Sequence, residues 1–421
     1  MRISIPEDSG NIEIVNIEHA QDIRLKIRPD SHAPNYQWFN FILEGEPGEP
    51  FVLTLENAGD ASYPGWSDGG VEYRATASSD GDTWSRLSTT FDKTLGTSTI
   101  RGELVGDRMQ IAFFPPYPYA KHLELIEKAR VIPNTAVTSL GKSVEGRDIT
   151  LVTVGTPDCN KKNIWMIARQ HPGETMAEWF AEGLIERLSS GEDLSAFFDH
   201  AVLYMVPNMN PDGSYHGNLR TNAAGKDLNR QWDIYDNEAT APEVFYVRQA
   251  MLKEGVAAFF DVHGDETNPY VFPDGRGVGC TENSAMMAIE SEFLDAYIAI
   301  CPYLQKESKY APDLPGQANK NMAKAFFAER LNCLSLIFEM PNKELVTGED
   351  WTDRDCKQFG ARLIDPLIQL MPKLVNQKWM STVQIQAPRG LSFLEEARKA
   401  VVVSEVPVIE GAVPHGCCLI S

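Results

Sequence analysis

A histidine and a glutamate lie three positions apart at the end of an apolar run. His171 and Glu174 flank Pro172 and Gly173, a pair that forms a bend able to turn both side chains toward one point. The apolar run 164–168 before them predicts a buried strand that ends where a helix begins. Ligands in open α/β sheets bind at such strand ends, so the pair predicts a metal site, with an ordinary surface turn as the alternative.

The best candidate for a third ligand is His263, which follows the apolar, strand-like run 256–262. Two histidines and one glutamate leave a tetrahedral zinc ion one open position for water. Such a set is typical of a catalytic zinc and not of a structural one. His171, Glu174 and His263 together therefore predict a hydrolase.

Further polar groups follow other predicted strands. Glu339 ends the apolar run 334–338, and a carboxylate delivered from such a strand is expected to have a raised pKa, which suits a general base. Arg220 and the segment Asp227–Arg230 supply two guanidinium groups and an amide. A forked guanidinium can clamp a carboxylate or stabilise a developing oxyanion. For each residue alone, a solvated surface side chain is the alternative.

The elements that must position these groups form two predicted domains. Residues 1–115 contain short apolar runs of β type between turns, which predicts a β-sandwich domain. From 116 to 378, apolar strands alternate with helical patterns, which predicts an α/β domain with a central mixed sheet flanked by helices. Residues 379–421 are predicted to be a partly flexible C-terminal extension.

Charge and composition narrow the classes of partner. The formal net charge of -21 and the pI near 4.8 argue against nucleic acid or an anionic membrane surface. The beginning of the chain lacks a secretory pattern and no run approaches membrane-spanning length, so we expect a cytoplasmic protein. The ending Cys418–Ser421 matches a farnesylation pattern, but no polybasic patch precedes it and a chance match is favoured. No membrane association is therefore expected unless Cys418 is prenylated.

Taken together, the motifs resemble the zinc carboxypeptidases of the carboxypeptidase A superfamily, and most closely the short bacterial members of the cytosolic carboxypeptidase branch. The resemblance covers residues 1–375. It is carried, in chain order, by His171-Pro172-Gly173-Glu174, Asn210-Pro211-Asp212-Gly213, Arg220, Asp227-Leu228-Asn229-Arg230, Asp261-Val262-His263-Gly264-Asp265-Glu266 and Glu339.

The resemblance implies a zinc-carboxypeptidase-type α/β domain behind the β-sandwich, and peptide or protein C-terminal tails as substrates. It implies the following roles: one Zn²⁺ per chain held by His171, Glu174 and His263, Glu339 as the general base, Arg220 as the polariser of the scissile carbonyl, and Asn229 with Arg230 as the clamp on the terminal carboxylate. Relatives that remove glutamate carry a basic pocket residue, for which Lys320 and Lys324 are the candidates here. Tyr270 is the candidate for a tyrosine that closes over the substrate.

Two alternatives stay open at the level of sequence. An acyl-amino-acid hydrolase of the desuccinylase or aspartoacylase type would use a similar zinc site and arginine pair on shorter substrates. A peptide-binding module that has lost catalysis would keep the fold. The Asn210–Gly213 segment, the position of Glu339 and the leading β-domain favour the peptidase.

Overall fold

The computed structural model describes residues 1–277, 279–311 and 314–378. Residues 1–112, all within these ranges, contain ten strands. They are β1 (Arg2–Ser4), β2 (Glu13–Asn16), β3 (Ile23–Lys26), β4 (Asn40–Glu44), β5 (Pro50–Leu55), β6 (Thr76–Ser78), β7 (Ser85–Arg86), β8 (Ser88–Asp92), β9 (Thr97–Glu103) and β10 (Arg108–Ala112).

These strands form two five-stranded sheets, in the orders β1-β4-β10-β6-β7 and β2-β3-β5-β9-β8. All the pairs are antiparallel except β3 with β5. Burial follows the two-residue period of a strand: in β5, Phe51, Leu53 and Leu55 are buried while the residues between them are partly exposed. The all-β N-terminal region predicted from the sequence is confirmed.

The following region contains seven strands and nine α-helices among the described residues. The strands are β11 (Thr135–Lys142), β12 (Asp148–Val154), β13 (Lys162–Ala168), β14 (Ala201–Val206), β15 (Ala258–Asp265), β16 (Phe272–Asp274) and β17 (Leu334–Pro341). The helices are α1 (Tyr119–Arg130), α2 (Met176–Leu188), α3 (Ser195–Phe198), α4 (Pro211–His216), α5 (Pro242–Glu254), α6 (Ser284–Ile300), α7 (Ala323–Arg330), α8 (Asp353–Ala361) and α9 (Asp365–Ile368).

The seven strands form one mixed sheet in the order β11-β12-β14-β13-β15-β17-β16. The pairs β14–β13, β13–β15 and β15–β17 are parallel, and the others are antiparallel. Strands β14, β15 and β17 are buried along their whole length, as expected for central strands covered on both faces. The predicted α/β region with a central mixed sheet is confirmed.

Two central strands are longer than the sequence pattern predicted. The apolar runs end at 262 and 338, yet β15 continues to Asp265 and β17 to Pro341, because the ladder pairs His263 with Glu339, Gly264 with Met340 and Asp265 with Pro341. Backbone pairing between neighbours, and not side-chain polarity, sets where these strands stop. Two expected site residues therefore lie on adjacent strands in direct register.

Helix α2, which begins two residues after Glu174, is held against α8 by two glycines. A Cβ added to Gly183 would lie 2.0 Å from the carbonyl oxygen of Lys357, and one added to Gly360 would lie 1.9 Å from that of Phe180. Only glycine permits this backbone approach. The packing fixes the axis of the helix that follows the first motif.

Residues 1–378 form one compact unit, in which the β-rich region packs against the α/β region. The predicted boundary near residue 115 stays a prediction. No helix in the described ranges is long and apolar enough to cross a bilayer. The extension 379–421, with Cys418, lies outside the described residues.

Candidate metal centre and active site

The turn that carries His171 and Glu174 is braced by a buried arginine. Arg169, directly after β13, has a φ of 59° and is 1% exposed. Its guanidinium donates to the carbonyl oxygens of Pro172 (2.9 Å) and Tyr117 (2.6 Å) and to Glu178 Oε2 (2.7 Å). A left-handed non-glycine residue persists only where its surroundings hold it, and this network does so.

The three predicted metal ligands converge. His171 Nδ1 lies 2.6 Å from Glu174 Oε1, and His263 Nδ1 lies 2.8 Å from Glu174 Oε2. The ligand atoms of all three side chains lie within 4.8 Å of one another, and all three residues are buried. In the described part of the chain, no other group of three or more His, Cys, Asp and Glu side chains meets this criterion.

The outer nitrogens of both histidines face carboxylates. His171 Nε2 lies 3.0 Å from Asp227 Oδ1, and His263 Nε2 lies 3.0 Å from Asp261 Oδ1. The acceptor hydrogen-bonded at Nε2 of His171 holds the proton there and leaves Nδ1 free to bind a metal, the usual arrangement around zinc-bound histidines. At His263 the carboxylate lies at ion-pair distance without a hydrogen bond. The residues present therefore fit a zinc ion held by two nitrogens and a carboxylate.

Glu339 lies beside this cluster, because β17 places it opposite His263. It is 6% exposed, and its Oε2 has no hydrogen-bond partner among the described residues. Burial raises the pKa of Glu339 well above its usual range; His263 opposes the rise, while Glu174 and Asp265 add to it. A buried carboxyl group with one open oxygen and a raised pKa is suited to exchanging protons.

The predicted arginines and amide lie around the same centre. Arg220 pairs with Asp227 through Nε (2.8 Å) and Nη2 (2.8 Å). Asn229 and Arg230 belong to a 3₁₀ turn, Leu228–Arg230. The amide of Asn229 accepts from the Ala323 N–H at Oδ1 (2.9 Å), and its Nδ2 lies 3.4 Å from His263 Nε2. Arg230 is half-buried, and its guanidinium donates to the Asn229 carbonyl (2.8 Å).

The sequence offered three further candidates, which are Lys324, Lys320 and Tyr270. Lys324 is buried, and its ammonium donates to Asp274 Oδ2 (2.9 Å) and to the Gly275 carbonyl (3.2 Å). Lys320 is exposed. The ring of Tyr270 lies 4.6 Å from the ammonium of Lys309.

The chain was compared with protein families and with individual proteins. Residues 3–114 match a model described as the cytosolic carboxypeptidase N-terminal domain, and residues 124–350 match a model described as zinc carboxypeptidase. The chain belongs to the zinc carboxypeptidase family. An uncharacterized protein of Zymomonas mobilis is 35% identical over 381 residues, which is 89% of this chain and 97% of that protein.

Two solved structures are similar over most of their length. A metallo-carboxypeptidase from Burkholderia cenocepacia shares 38% identity at a TM-score of 0.83, covering 88% of this chain and 99% of that one. A metallo-carboxypeptidase from Pseudomonas aeruginosa, solved with (2-guanidinoethylmercapto)succinic acid, shares 38% identity at 0.82, covering 89% and 100%. Human cytosolic carboxypeptidase 6 is 26% identical over 62% of this chain, which spans 56% of that protein.

Membership in the zinc carboxypeptidase family confirms the prediction of a peptidase hydrolase and of the metallocarboxypeptidase class. It makes zinc the metal of the family, and it makes peptides the class of substrate. It also favours the peptidase over both alternatives left open by the sequence.

Several residues at the candidate site received no role from the sequence. Asp261 stands in a motif quoted above, and its place on the same face as His263 follows from its position two residues before it in a strand. Tyr310, which donates to Asp265 Oδ2 (2.8 Å) and lies close to Glu339, carries no local signal. Nor do Asp30 and Tyr63, which contact Arg220 from loops of the N-terminal β-rich region.

Proposed function

We propose that the chain hydrolyses the C-terminal peptide bond of peptides or protein tails with a water molecule activated at a single zinc site. The observation that carries this proposal is the meeting of His171, Glu174 and His263 beside the buried Glu339. A zinc ion bound there supplies Lewis acidity and lowers the pKa of a water molecule in the site. Consistent with the relatives named cytosolic carboxypeptidases, we propose a cytoplasmic setting for this activity.

In the proposed reaction, Glu339 is the general base. Its open Oε2 accepts the proton of the attacking water, and the same oxygen then delivers that proton to the leaving amine. Burial raises the pKa of the carboxyl group and so strengthens Glu339 as the proton acceptor in the first of these two transfers. Beside this carboxyl group, the Tyr310 hydroxyl donates a hydrogen bond to Asp265 Oδ2.

Arg220 and the Asn229–Arg230 turn divide the recognition of substrate between them. Arg220 is proposed to donate to the oxygen of the scissile carbonyl as negative charge develops on it. Asn229 is proposed to donate through Nδ2 to the terminal carboxylate, because its Oδ1 is already engaged by the Ala323 N–H. Arg230 completes a charge-assisted clamp on that carboxylate.

A preference for glutamate at the C-terminus is the finest part of this proposal. It requires a cation that faces the terminal side chain, and Lys324 is the buried candidate, next to Ala323, whose N–H orients Asn229. The ammonium of Lys324 is paired with Asp274, which reduces its attraction for a second acid. A related enzyme binds a ligand with a cationic guanidine group, so basic termini must be tested equally.

A peptide library with varied C-terminal residues, read by mass spectrometry, tests these assignments. The wild-type enzyme should trim single residues from C-termini and leave N-acyl amino acids intact. Glu339→Gln should lower kcat by at least about a hundredfold, since it removes the proton acceptor. The matched control is Glu243→Gln, a buried carboxylate in α5, which should keep wild-type activity.

Three results would contradict the assigned base, the reaction and the acidic preference in turn. Equal trimming by the wild type and Glu339→Gln would remove Glu339 as the base. Hydrolysis of N-acyl amino acids without peptide trimming would replace the peptidase with the acyl-amino-acid hydrolase. Glutamate-ended peptides cleaved no faster than lysine- or leucine-ended ones would exclude the acidic preference.

A further inference from the structure

The carboxylate of Asp30, in the N-terminal β-rich region, binds the loop that carries Arg220. Its Oδ1 accepts from the Leu219 N–H at 2.6 Å, and its Oδ2 accepts from the Arg220 N–H at 3.0 Å and the Thr221 N–H at 2.8 Å. The Thr221 hydroxyl adds a fourth hydrogen bond at 2.9 Å. Three consecutive amides thus converge on one side chain that lies about 190 residues earlier in the chain.

The burial of Asp30 makes these contacts strong and directional. The residue is 4% exposed, and a carboxylate removed from water is stable only when hydrogen bonds replace its hydration. Bonds to an ionised acceptor are stronger than neutral ones, and three of them on successive residues fix the backbone orientation at the middle residue. That middle residue is Arg220. Next to Asp30, the Ser31 N–H and hydroxyl both donate to Asn218 Oδ1 at 3.0 Å.

The guanidinium of Arg220 is held separately from its backbone. One oxygen of Asp227, Oδ2, lies 2.8 Å from both Nε and Nη2 of the guanidinium. An isolated β-bridge between Thr221 and Asp227 brings Asp227 close to Arg220. The ring of Tyr63, also from the N-terminal region, lies 5.4 Å from the guanidinium carbon. The N-terminal region therefore contacts both ends of Arg220.

The same loop is tied to the metal-binding turn. The Gly173 N–H, between His171 and Glu174, donates to the carbonyl oxygen of Leu219 at 2.9 Å. A Cβ on Gly173 would lie 3.0 Å from that oxygen, so the two segments are in close contact. A shift of the loop at Leu219 would move Arg220 relative to the metal centre.

We propose that Asp30 is a positioning residue: the N-terminal region sets the place of Arg220 in the active site through the Asp30 carboxylate and the amides of residues 219–221. The inference rests on the role of Arg220 in the proposed function. It gives the N-terminal region a part in the reaction, although that region supplies none of the proposed zinc ligands and neither the general base nor the carboxylate clamp.

Hydrogen exchange tests the contact without any assay of activity. In the wild-type protein, the amides of Leu219, Arg220 and Thr221 should exchange far more slowly than in an open loop, because each is buried against the carboxylate. In Asp30→Asn they should exchange at least about tenfold faster. Exchange at open-loop rates in the wild type would overturn the inference even if the variant does not fold.

Kinetics of the full-length, zinc-loaded protein separate positioning from general support. Asp30→Asn should lower kcat about tenfold or more with KM within about twofold, since the interaction it disturbs acts on the developing oxyanion. Zinc content should equal that of the wild type. The control is Asn11→Ala, which removes the hydrogen bonds of the Asn11 side chain to the Gly217 carbonyl (2.9 Å) and to the backbone of Arg28 without removing any contact to residues 219–221. It should leave kcat near wild type.

A double variant shows whether Asp30 acts through Arg220. In an Arg220→Lys background, adding Asp30→Asn should cost less than about a further twofold, because two changes in one chain of contacts are not additive. A full tenfold loss in that background, or an equal loss in Asn11→Ala, would overturn the positioning role. A wild-type protein that does not trim peptides would instead contradict the proposed function. The hydrogen-exchange data would still report on the Asp30 contact.

Discussion

At the scale of single residues, carboxylates lie behind both histidines of the proposed zinc site. Asp261 accepts from Gln170 Nε2 at 2.7 Å through one oxygen and faces His263 Nε2 with the other. An asparagine can offer only one acceptor oxygen to these two groups. We expect Asp261→Asn to weaken zinc binding about 10- to 100-fold.

Competition with a chromophoric chelator measures this change in zinc affinity. Asp107→Asn, an exposed aspartate between β9 and β10, serves as the control and should bind zinc as the wild type does. An Asp261→Asn protein with wild-type affinity would show that the carboxylate does not support His263.

A second residue-scale prediction concerns Glu243, near the N-terminus of α5. Burial raises its pKa to about 7 from an ordinary value of 4.5. The folded protein therefore binds this proton more tightly than the unfolded chain, and the contribution to stability is present below pH 4.5 and lost as the pH rises to 7. Relative to the wild type, Glu243→Gln should gain about 2 to 3 kcal/mol in the free energy of unfolding between pH 5 and pH 8.

Urea unfolding at both pH values measures this gain. Any constant cost of burying the new amide cancels in the difference between the two pH values. Glu13→Gln, an exposed change in β2, should show no such dependence. A pH-independent difference between Glu243→Gln and the wild type would mean that the carboxyl group does not titrate in this range.

The site residues that could be predicted from the sequence each stand in a recognisable local pattern. His263 and Glu339 follow apolar runs, and His171 with Glu174 flanks a Pro-Gly bend. Asp30 and Tyr310 meet the site through contacts between distant parts of the chain, and no local period or turn signal marks them. Their roles depend on which sheets and loops pack together, which one sequence does not specify.

At the scale of elements, the type of each central strand was predictable and its end was not. Strand β14 has the predicted bounds, whereas β15 and β17 extend three residues beyond their apolar runs. The apolar runs mark the strands because their side chains are buried. The last three residues of β15 and β17 are polar or irregular in pattern, and backbone pairing between the two strands keeps them extended. The close packing of α2 on α8 was likewise invisible, because a helical glycine in a sequence does not reveal what it packs against.

That packing yields an element-scale prediction. Gly183→Ala should destabilise the protein by about 1 to 3 kcal/mol, because the new Cβ would collide with the backbone of Lys357 although alanine favours helix. Thermal unfolding measures the loss. Gly277→Ala, where no described atom lies within 4 Å of the new Cβ, is the control. A melting temperature equal to or above that of the wild type would show that α8 is free to move away.

At the scale of the whole molecule, the β-rich and α/β regions share a buried polar interface. Lys343 donates to the carbonyls of Gly65 (2.8 Å) and Asp68 (3.0 Å), and Arg86 donates to those of Asn342 and Trp351. Separating the regions would leave these groups without their acceptors. We therefore expect residues 1–378 to unfold in a single cooperative transition.

Calorimetry and far-UV circular dichroism on the full chain test this expectation. Both should give the same midpoint, and Lys343→Met should lower that midpoint without splitting the transition. Two resolved transitions in the wild-type protein would show that the regions fold independently.

The hydrogen bonds between Asp30 and residues 219–221 also limit which segments can be exchanged between related proteins. Consider a chimera that takes its first 115 residues from one relative and the remainder from another. Its Asp30 carboxylate comes from one parent, and the three backbone amides of residues 219–221 that donate to it come from the other. Loops that differ by one residue in length would place the wrong amides opposite the carboxylate. Exchanges that carry residues 30 and 217–227 as a matched set should keep activity, and those that divide the set should fold yet turn over slowly.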